Sequence, residues 1–194
     1  STYYYYDANG ELHKGWLNTE NGYYYLNLST GKMTVGWEKI NNKWYYFQGN
    51  GVMATGWVKD NGKYYYLLTD GTMHTGWVSI DNVYYYLGDS GAMATGWVNM
   101  DNGWYYFDPN DGKCTVDLAR EINDSWYMFG KDGKMLTGWQ QVDGAYYYFH
   151  TDGRMLIGWL SDGTNSYYMD PANGRMSTGW KQIEGSYYYF NNSG

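Results

Sequence analysis

The sequence has a single cysteine, Cys114, among its 194 residues. That excludes an intrachain disulfide framework, so folding must come from packing. No apolar run approaches the ~20 residues that a membrane-spanning helix requires. Nor does any segment join charged, apolar and small residues as an export leader does. The residues that usually build a core are scarce too. Leu, Ile, Val and Phe together number 29, and the formal net charge is −7. A composition of that kind ordinarily leaves a chain unable to fold. With 13 Lys and Arg against 20 Asp and Glu, a nucleic-acid phosphate backbone is a poor partner and a cation a suitable one.

Aromatic residues make up the deficit. Tyr, Trp and Phe number 26, 11 and 5, which is 22% of the chain. Each Trp or Tyr buries on the order of 150–250 Å² while keeping a polar tip, so the packing is expected to be aromatic. These residues recur with a period. Gly-Trp pairs fall at Gly15-Trp16, Gly36-Trp37, Gly56-Trp57, Gly76-Trp77, Gly96-Trp97, Gly138-Trp139, Gly158-Trp159 and Gly179-Trp180, mostly 20 or 21 residues apart. A Met stands four residues before most of these Trp residues. Seven or eight residues after each Trp comes an aromatic run such as Trp44-Tyr45-Tyr46-Phe47 or Tyr64-Tyr65-Tyr66. The one gap of 42 residues hides a degenerate unit near 114–133, with Cys114 in the Met position and Asp117-Leu118 in the Gly-Trp position. The opening Tyr3-Tyr4-Tyr5-Tyr6 reads as half a unit. So regular a period signals a solenoid, whose units bury their faces against their neighbours.

Within a unit the signals are those of a β-hairpin. A short strand carrying the Trp meets a turn such as Asn61-Gly62, Asn102-Gly103, Asp143-Gly144 or Glu184-Gly185, and the aromatic strand follows. A second glycine turn, as at Asn50-Gly51 or Asp70-Gly71, links units. Side chains alternate across a strand, so the first and third aromatics face one way and the second and fourth the other. A lone hairpin is marginal, so both faces must be covered by adjacent hairpins. The expected fold is all-β: a solenoid superhelix of stacked β-hairpin repeats of about 20 residues. It forms a single module over residues 1–194 with about nine hairpin units. No helix is expected outside one turn near Val116 to Glu121.

Each junction then brings together a Trp, the aromatic seven or eight residues later, a Tyr from the next hairpin and a Met. Three aromatic faces around a gap suit a quaternary ammonium, which is weakly hydrated and has no N–H to donate. Each ring contributes roughly 0.5–2 kcal/mol, and three rings give binding on the millimolar scale. A polymer bearing the cation repeatedly would gain avidity by engaging several cages.

The phrases Gly51-Val52-Met53-Ala54-Thr55-Gly56-Trp57 and Gly91-Ala92-Met93-Ala94-Thr95-Gly96-Trp97, with runs like Trp44-Tyr45-Tyr46-Phe47, resemble the choline-binding repeats of Gram-positive cell-surface proteins. The resemblance spans nearly the whole chain, and the Met before the Trp favours this branch over glucan-binding and clostridial-toxin repeats. It implies a site built from the Gly-Trp tryptophan, the first aromatic of the same hairpin and the second of the next. On this chain the implied groups are Trp16 and Tyr23 with Tyr45, Trp37 and Trp44 with Tyr65, and Trp57 and Tyr64 with Tyr85. Further along they are Trp77 and Tyr84 with Tyr105, Trp97 and Trp104 with Tyr127, Trp139 and Tyr146 with Tyr168, and Trp159 and Tyr167 with Tyr188. Leu118 replaces the Trp of the junction with Trp126 and Tyr147, so that site is expected to be absent or weak. Trp180 and Tyr187 would be completed only by residues that follow or by a second copy, in a homo-oligomer. The resemblance further implies choline or phosphocholine of teichoic and lipoteichoic acids as the partner, no cofactor, and a place in the bacterial cell wall.

The third and fourth aromatics, such as Tyr66 and Phe107, read as core, and the Met stripe as packing that can also line a soft pocket wall. His13, His74 and His150 are scattered without metal or triad spacing. Asp108, Asn110 and Asp111 resemble part of a calcium loop but lack its later Glu. Cys114 reads as a small buried hydrophobe. Two alternatives to choline capture stay open at this point: sugar stacking in a glucan-binding module, and a structural stalk whose aromatics are all core. An enzyme confined to this segment is the least favoured reading.

Overall fold

The computed structural model describes residues 2–100 and 103–194. Its elements are strands, paired in sequence order. They are β1 (Gly15–Thr19) with β2 (Gly22–Leu26), β3 (Gly36–Ile40) with β4 (Lys43–Phe47), β5 (Gly56–Asp60) with β6 (Lys63–Leu67), and β7 (Gly76–Ile80) with β8 (Val83–Leu87). There follow β9 (Gly96–Met100) with β10 (Gly103–Phe107), β11 (Leu118–Ile122) with β12 (Ser125–Phe129), β13 (Gly138–Val142) with β14 (Ala145–Phe149), β15 (Gly158–Ser161) with β16 (Ser166–Met169), and β17 (Gly179–Ile183) with β18 (Ser186–Phe190). Each pair is an antiparallel two-stranded sheet, giving nine hairpins and no helix among the described residues. The chain divides into two compact units, Ser1–Ala94 and Thr95–Gly194.

Turn chemistry sets the register. Asn61 and Gly62 have φ of 46° and 78°, and Asp143 and Gly144 have 48° and 78°. Two successive positive φ values make the type I′ turn, whose twist matches that of the flanking strands. Asn102 lies outside the described residues. The resulting register places Trp57 opposite Tyr66 and Gly56 opposite Leu67, and the same relation holds in the other regular hairpins. The side chain paired with the glycine is the core. Leu26, Phe47, Leu67 and Leu87 of the first unit, and Phe107, Phe129, Phe149, Met169 and Phe190 of the second, are all buried.

Neighbouring hairpins within a unit are tied by the Met stripe. Each Met forms a bridge with the buried residue of its own hairpin, as Phe47 with Met53. Its N–H donates to the first aromatic of the preceding hairpin, as from Met53 to the carbonyl of Tyr23 at 2.7 Å and from Met176 to that of Tyr146 at 2.8 Å. The following glycine makes room for the thioether. At Gly71, where φ is +82°, a Cβ would lie 2.2 Å from the Met53 Sδ.

Three expectations are corrected here. The stretch Val116 to Glu121 runs into strand β11 rather than a helical turn. Leu118 pairs with Phe129 and so fills the glycine place, while Ala119, opposite Met128, stands where Trp would be. The chain holds one more residue between Cys114 and this strand than the regular units hold after their Met. Asp117 adopts the positive φ of 49° and donates its N–H to the Gly130 carbonyl. Arg120 fastens the irregular segment: it pairs with Asp108, donates to Thr115 Oγ1 at 3.3 Å and lies 5.1 Å from the Tyr106 ring centroid. The third correction is in β16. Its partner register sets Trp159 opposite Tyr168 and Leu160 opposite Tyr167, so Ser166 holds the first aromatic position, Tyr167 the second and Tyr168 the third.

Candidate ligand cages between successive hairpins

The alternation of strand side chains puts Trp, first aromatic and third aromatic on one face of a hairpin. The second aromatic and the buried fourth residue lie on the other. Within a unit the first kind of face meets the second kind on the next hairpin. Trp16 packs edge-on against Tyr25 of its own hairpin at 5.3 Å and against Tyr45 of the next at 5.0 Å. The Phe47 ring lies 5.8 Å from Trp16 and closes the floor. The third aromatic braces the indole from within its own hairpin, so its role is packing.

The geometry repeats. Trp37 meets Tyr65 at 4.8 Å and 66°, Trp57 meets Tyr85 at 5.0 Å and 70°, and Trp97 meets Tyr127 at 4.8 Å and 65°. Where the first aromatic is Trp, it supplies a third wall at an angle close to square. Trp44 stands at 87° to Trp37, 6.5 Å away, and Trp104 at 84° to Trp97, 6.3 Å away. Tyr23, Tyr64 and Tyr146 hold the same position and are exposed. In the second unit one such corner forms a cavity of about 290 Å³, lined by Trp139, Tyr146, Tyr167, Met176, Asn192 and Ser193. The Met is thus part of the cage wall as well as of the packing.

Of the expected groups, Trp37/Trp44/Tyr65 and Trp97/Trp104/Tyr127 come together as three rings, while in Trp16/Tyr23/Tyr45 and Trp57/Tyr64/Tyr85 the Trp packs on the Tyr of the next hairpin and the first aromatic holds the equivalent strand position. Two others change membership. Tyr167, not Tyr168, packs on Trp139, at 4.9 Å, while Tyr168 packs on Trp159 at 5.1 Å. Trp159 does meet Tyr188, at 5.0 Å, but Ser166 stands where its third ring would be. The loop after β15 is longer, and counting from the start of the shortened aromatic run puts every residue one place off. Counting back from Met169 to its bridge with Met176 gives the register directly. Trp77, packed on Tyr86 at 5.4 Å, and Tyr84 belong to the first unit, and the buried Tyr105 to the second.

Electrostatics favour positive charge at these rings. Lys59 Nζ already lies 5.0 Å from the Tyr64 ring centroid and Lys39 Nζ 5.9 Å from that of Trp44. Trp37 donates its indole N–H to Asp60 at 3.3 Å, which sets a carboxylate against the edge of that cage. The sequence reading missed Asp60. Its place is Ile40, Ile80, Ile122, Val142 or Ile183 in other hairpins, so a charged residue at an apolar repeat position was the available signal. Burial, followed by the charge of Asp70, raises the pKa of Tyr45, keeping its phenol neutral. Among the described residues no group of three or more His, Cys, Asp or Glu is placed to hold a metal ion.

A ladder of Trp–Tyr corners on a hairpin scaffold defines a repeat-built module. The family model described as the choline-binding repeat matches residues 34–75, 74–117 and 136–178, and a cell-wall-binding repeat model matches 120–135 and 178–194. The chain belongs to the choline-binding repeat family. Choline binding protein F of Streptococcus pneumoniae, solved in the presence of a peptidoglycan analogue, is 33% identical with a TM-score of 0.79 over 90% of this chain and 61% of its own. CbpJ of S. pneumoniae TIGR4 is 25% identical with a TM-score of 0.72, over 100% of this chain and 93% of its own. The modular autolysin LytC of S. pneumoniae, 24% identical over 100% of this chain and 46% of its own, shares the fold with a TM-score of 0.74. This chain thus spans about three fifths of choline binding protein F. A search of curated proteins found no match.

Proposed function

We propose that the chain is a non-catalytic module that captures choline in its inter-hairpin cages and so holds a secreted or surface protein on the teichoic and lipoteichoic acids of a bacterial cell wall. The observation that carries this reading is the repeated Trp–Tyr corner, with ring pairs at 65–72° and a third aromatic and a Met beside it. A trimethylammonium presents methyl groups in several directions at once, and perpendicular ring faces meet them where a flat stack could not.

The proposed binding groups are Trp16, Tyr23 and Tyr45; Trp37, Trp44 and Tyr65; Trp57, Tyr64 and Tyr85; Trp97, Trp104 and Tyr127; and Trp139, Tyr146 and Tyr167. Trp159 with Tyr188 makes a two-ring site of lower affinity. Each cage binds on the millimolar scale, and a polymer carrying many choline groups supplies the avidity. The test is a choline titration followed by Trp fluorescence, with dextran and a neutral isostere of choline as controls. A saturable millimolar change with choline, and none with its neutral isostere, supports the reading. Response to dextran but not choline would replace it with glucan binding.

A further inference from the structure

The junction that loses its tryptophan does not close. Between the hairpins β11–β12 and β13–β14, and reaching the linker residues 154–157 and 171–174, lies a cavity of about 760 Å³, more than twice the 290 Å³ of the cage one junction on. Its origin is the substitution at the Trp place. Ala119 stands opposite Met128, where the next hairpin sets Trp139 opposite Tyr148. A methyl group replaces an indole, and Trp126 and Tyr147 remain as two aromatic walls of a wider space.

The rim differs in chemistry from that of a cage. Glu121, the cross-strand partner of Trp126, and Asp124 line the cavity, as do His150 and Arg154. Arg154 is held by Asp152 at 2.8 Å. Carboxylate acceptors and nitrogen donors thus surround one exposed indole face. A quaternary ammonium is attracted by the two carboxylates but has nothing to accept from Arg154 and His150, and would leave those donors unpaired. A sugar ring satisfies both kinds of group, since its hydroxyls donate to carboxylates and accept from guanidinium and imidazole, while its C–H face stacks on an indole. Apolar walls with a few convergent polar groups are the ordinary makeup of a small-molecule site.

We propose that this junction is a saccharide subsite for a short hexopyranose chain, separate from the choline cages and not dependent on them. The test is calorimetry on the full chain, first saturated with choline so that the cages are filled, then titrated with chitotetraose and with isomaltotetraose. The expected result is saturable binding of at least one of these sugars at a single site. Trp126→Ala should weaken that binding at least tenfold. Ala119→Trp should refill the space, abolish sugar binding and raise the choline stoichiometry by one. Glu121→Gln, which leaves the packing intact, should also weaken the sugar. No saturable heat from either sugar overturns the proposal, as does binding that survives both Trp126→Ala and Glu121→Gln. Failure of the choline reading would show separately, as an absence of choline heat in the unaltered chain.

Discussion

The backbone N–H of Met53 donates to the carbonyl of Tyr23 in the preceding hairpin, 2.7 Å away. This single bond joins the linker after one hairpin to the strand that presents the outer wall of the cage before it. Stacking of the hairpins and assembly of the cage are therefore one event, and a ligand in the cage reports on both.

A ligand that binds the folded chain alone must stabilise it. Choline at one hundredfold its Kd should add about 2.7 kcal/mol for each independent site. A scanning-calorimetry series with rising choline should show Tm climbing steadily. A flat Tm would mean that the cages do not bind it.

The register of the eighth hairpin separates two tyrosines adjacent in sequence. Tyr167 packs on Trp139 and Tyr168 on Trp159. Tyr167→Ala should remove one choline site and leave Tm little changed without ligand. Tyr168→Ala, which also removes a ring stacked at 6.4 Å on the buried Phe190, should lower Tm of the ligand-free chain. Calorimetric stoichiometry and thermal melts distinguish the two outcomes.

The buried fourth-position residues carry stability rather than binding. Phe149 is 3% exposed, and Phe149→Ala should destabilise by about 3–5 kcal/mol through lost transfer energy and a cavity. Urea unfolding measures it. Trp139→Ala, at a residue 37% exposed, should cost less stability and one choline site.

Several turn carboxylates make the fold acid-sensitive. Hydrogen bonds from the Thr72 side chain and N–H lower the pKa of Asp70, the Arg154 N–H lowers that of Asp152, and Arg120 and Lys181 lower those of Asp108 and Asp170. Each folded-state pKa lies below the unfolded value of about 3.9. The stabilisation is therefore complete above the unfolded pKa and disappears as pH falls through the folded one. Urea midpoints should hold steady from pH 7 to 5 and decline below about pH 4. Asp70→Asn should flatten that decline.

Burial, reinforced by Asp132, pushes the Cys114 thiol up to about 11. At pH 7.5 the folded chain should react slowly with maleimide or a disulfide reagent, and unfolding in urea should release the thiol to react quickly. Rapid labelling of the native chain would contradict this burial.

Period, hairpin and the regular Trp–Tyr ring pairs were legible in the sequence because each follows from local chemistry. Asn61-Gly62 can take the two positive φ values of a type I′ turn, Trp57 and Tyr66 are then cross-strand partners by counting, and a strict repeat carries that relation along the chain. The failures came where the repeat loses a residue or gains one. At Leu118 an extra residue precedes the strand, and at Tyr167 and Tyr168 the aromatic run is one position short. Periodicity fixes neighbours only while spacing is constant, whereas the tertiary structure fixes them by which side chain must occupy the core. Phe129 and Met169 are anchored there, and their partners follow. The sequence by itself determined the hairpins, the aromatic packing and the regular Trp–Tyr ring pairs, since these depend on contacts between adjacent repeats. Only the tertiary structure decided that Ala119 stands in the Trp place with an open cavity beside it, and that Asp60 reaches Trp37. Both depend on the exact register of one hairpin against the next, which burial sets and composition does not.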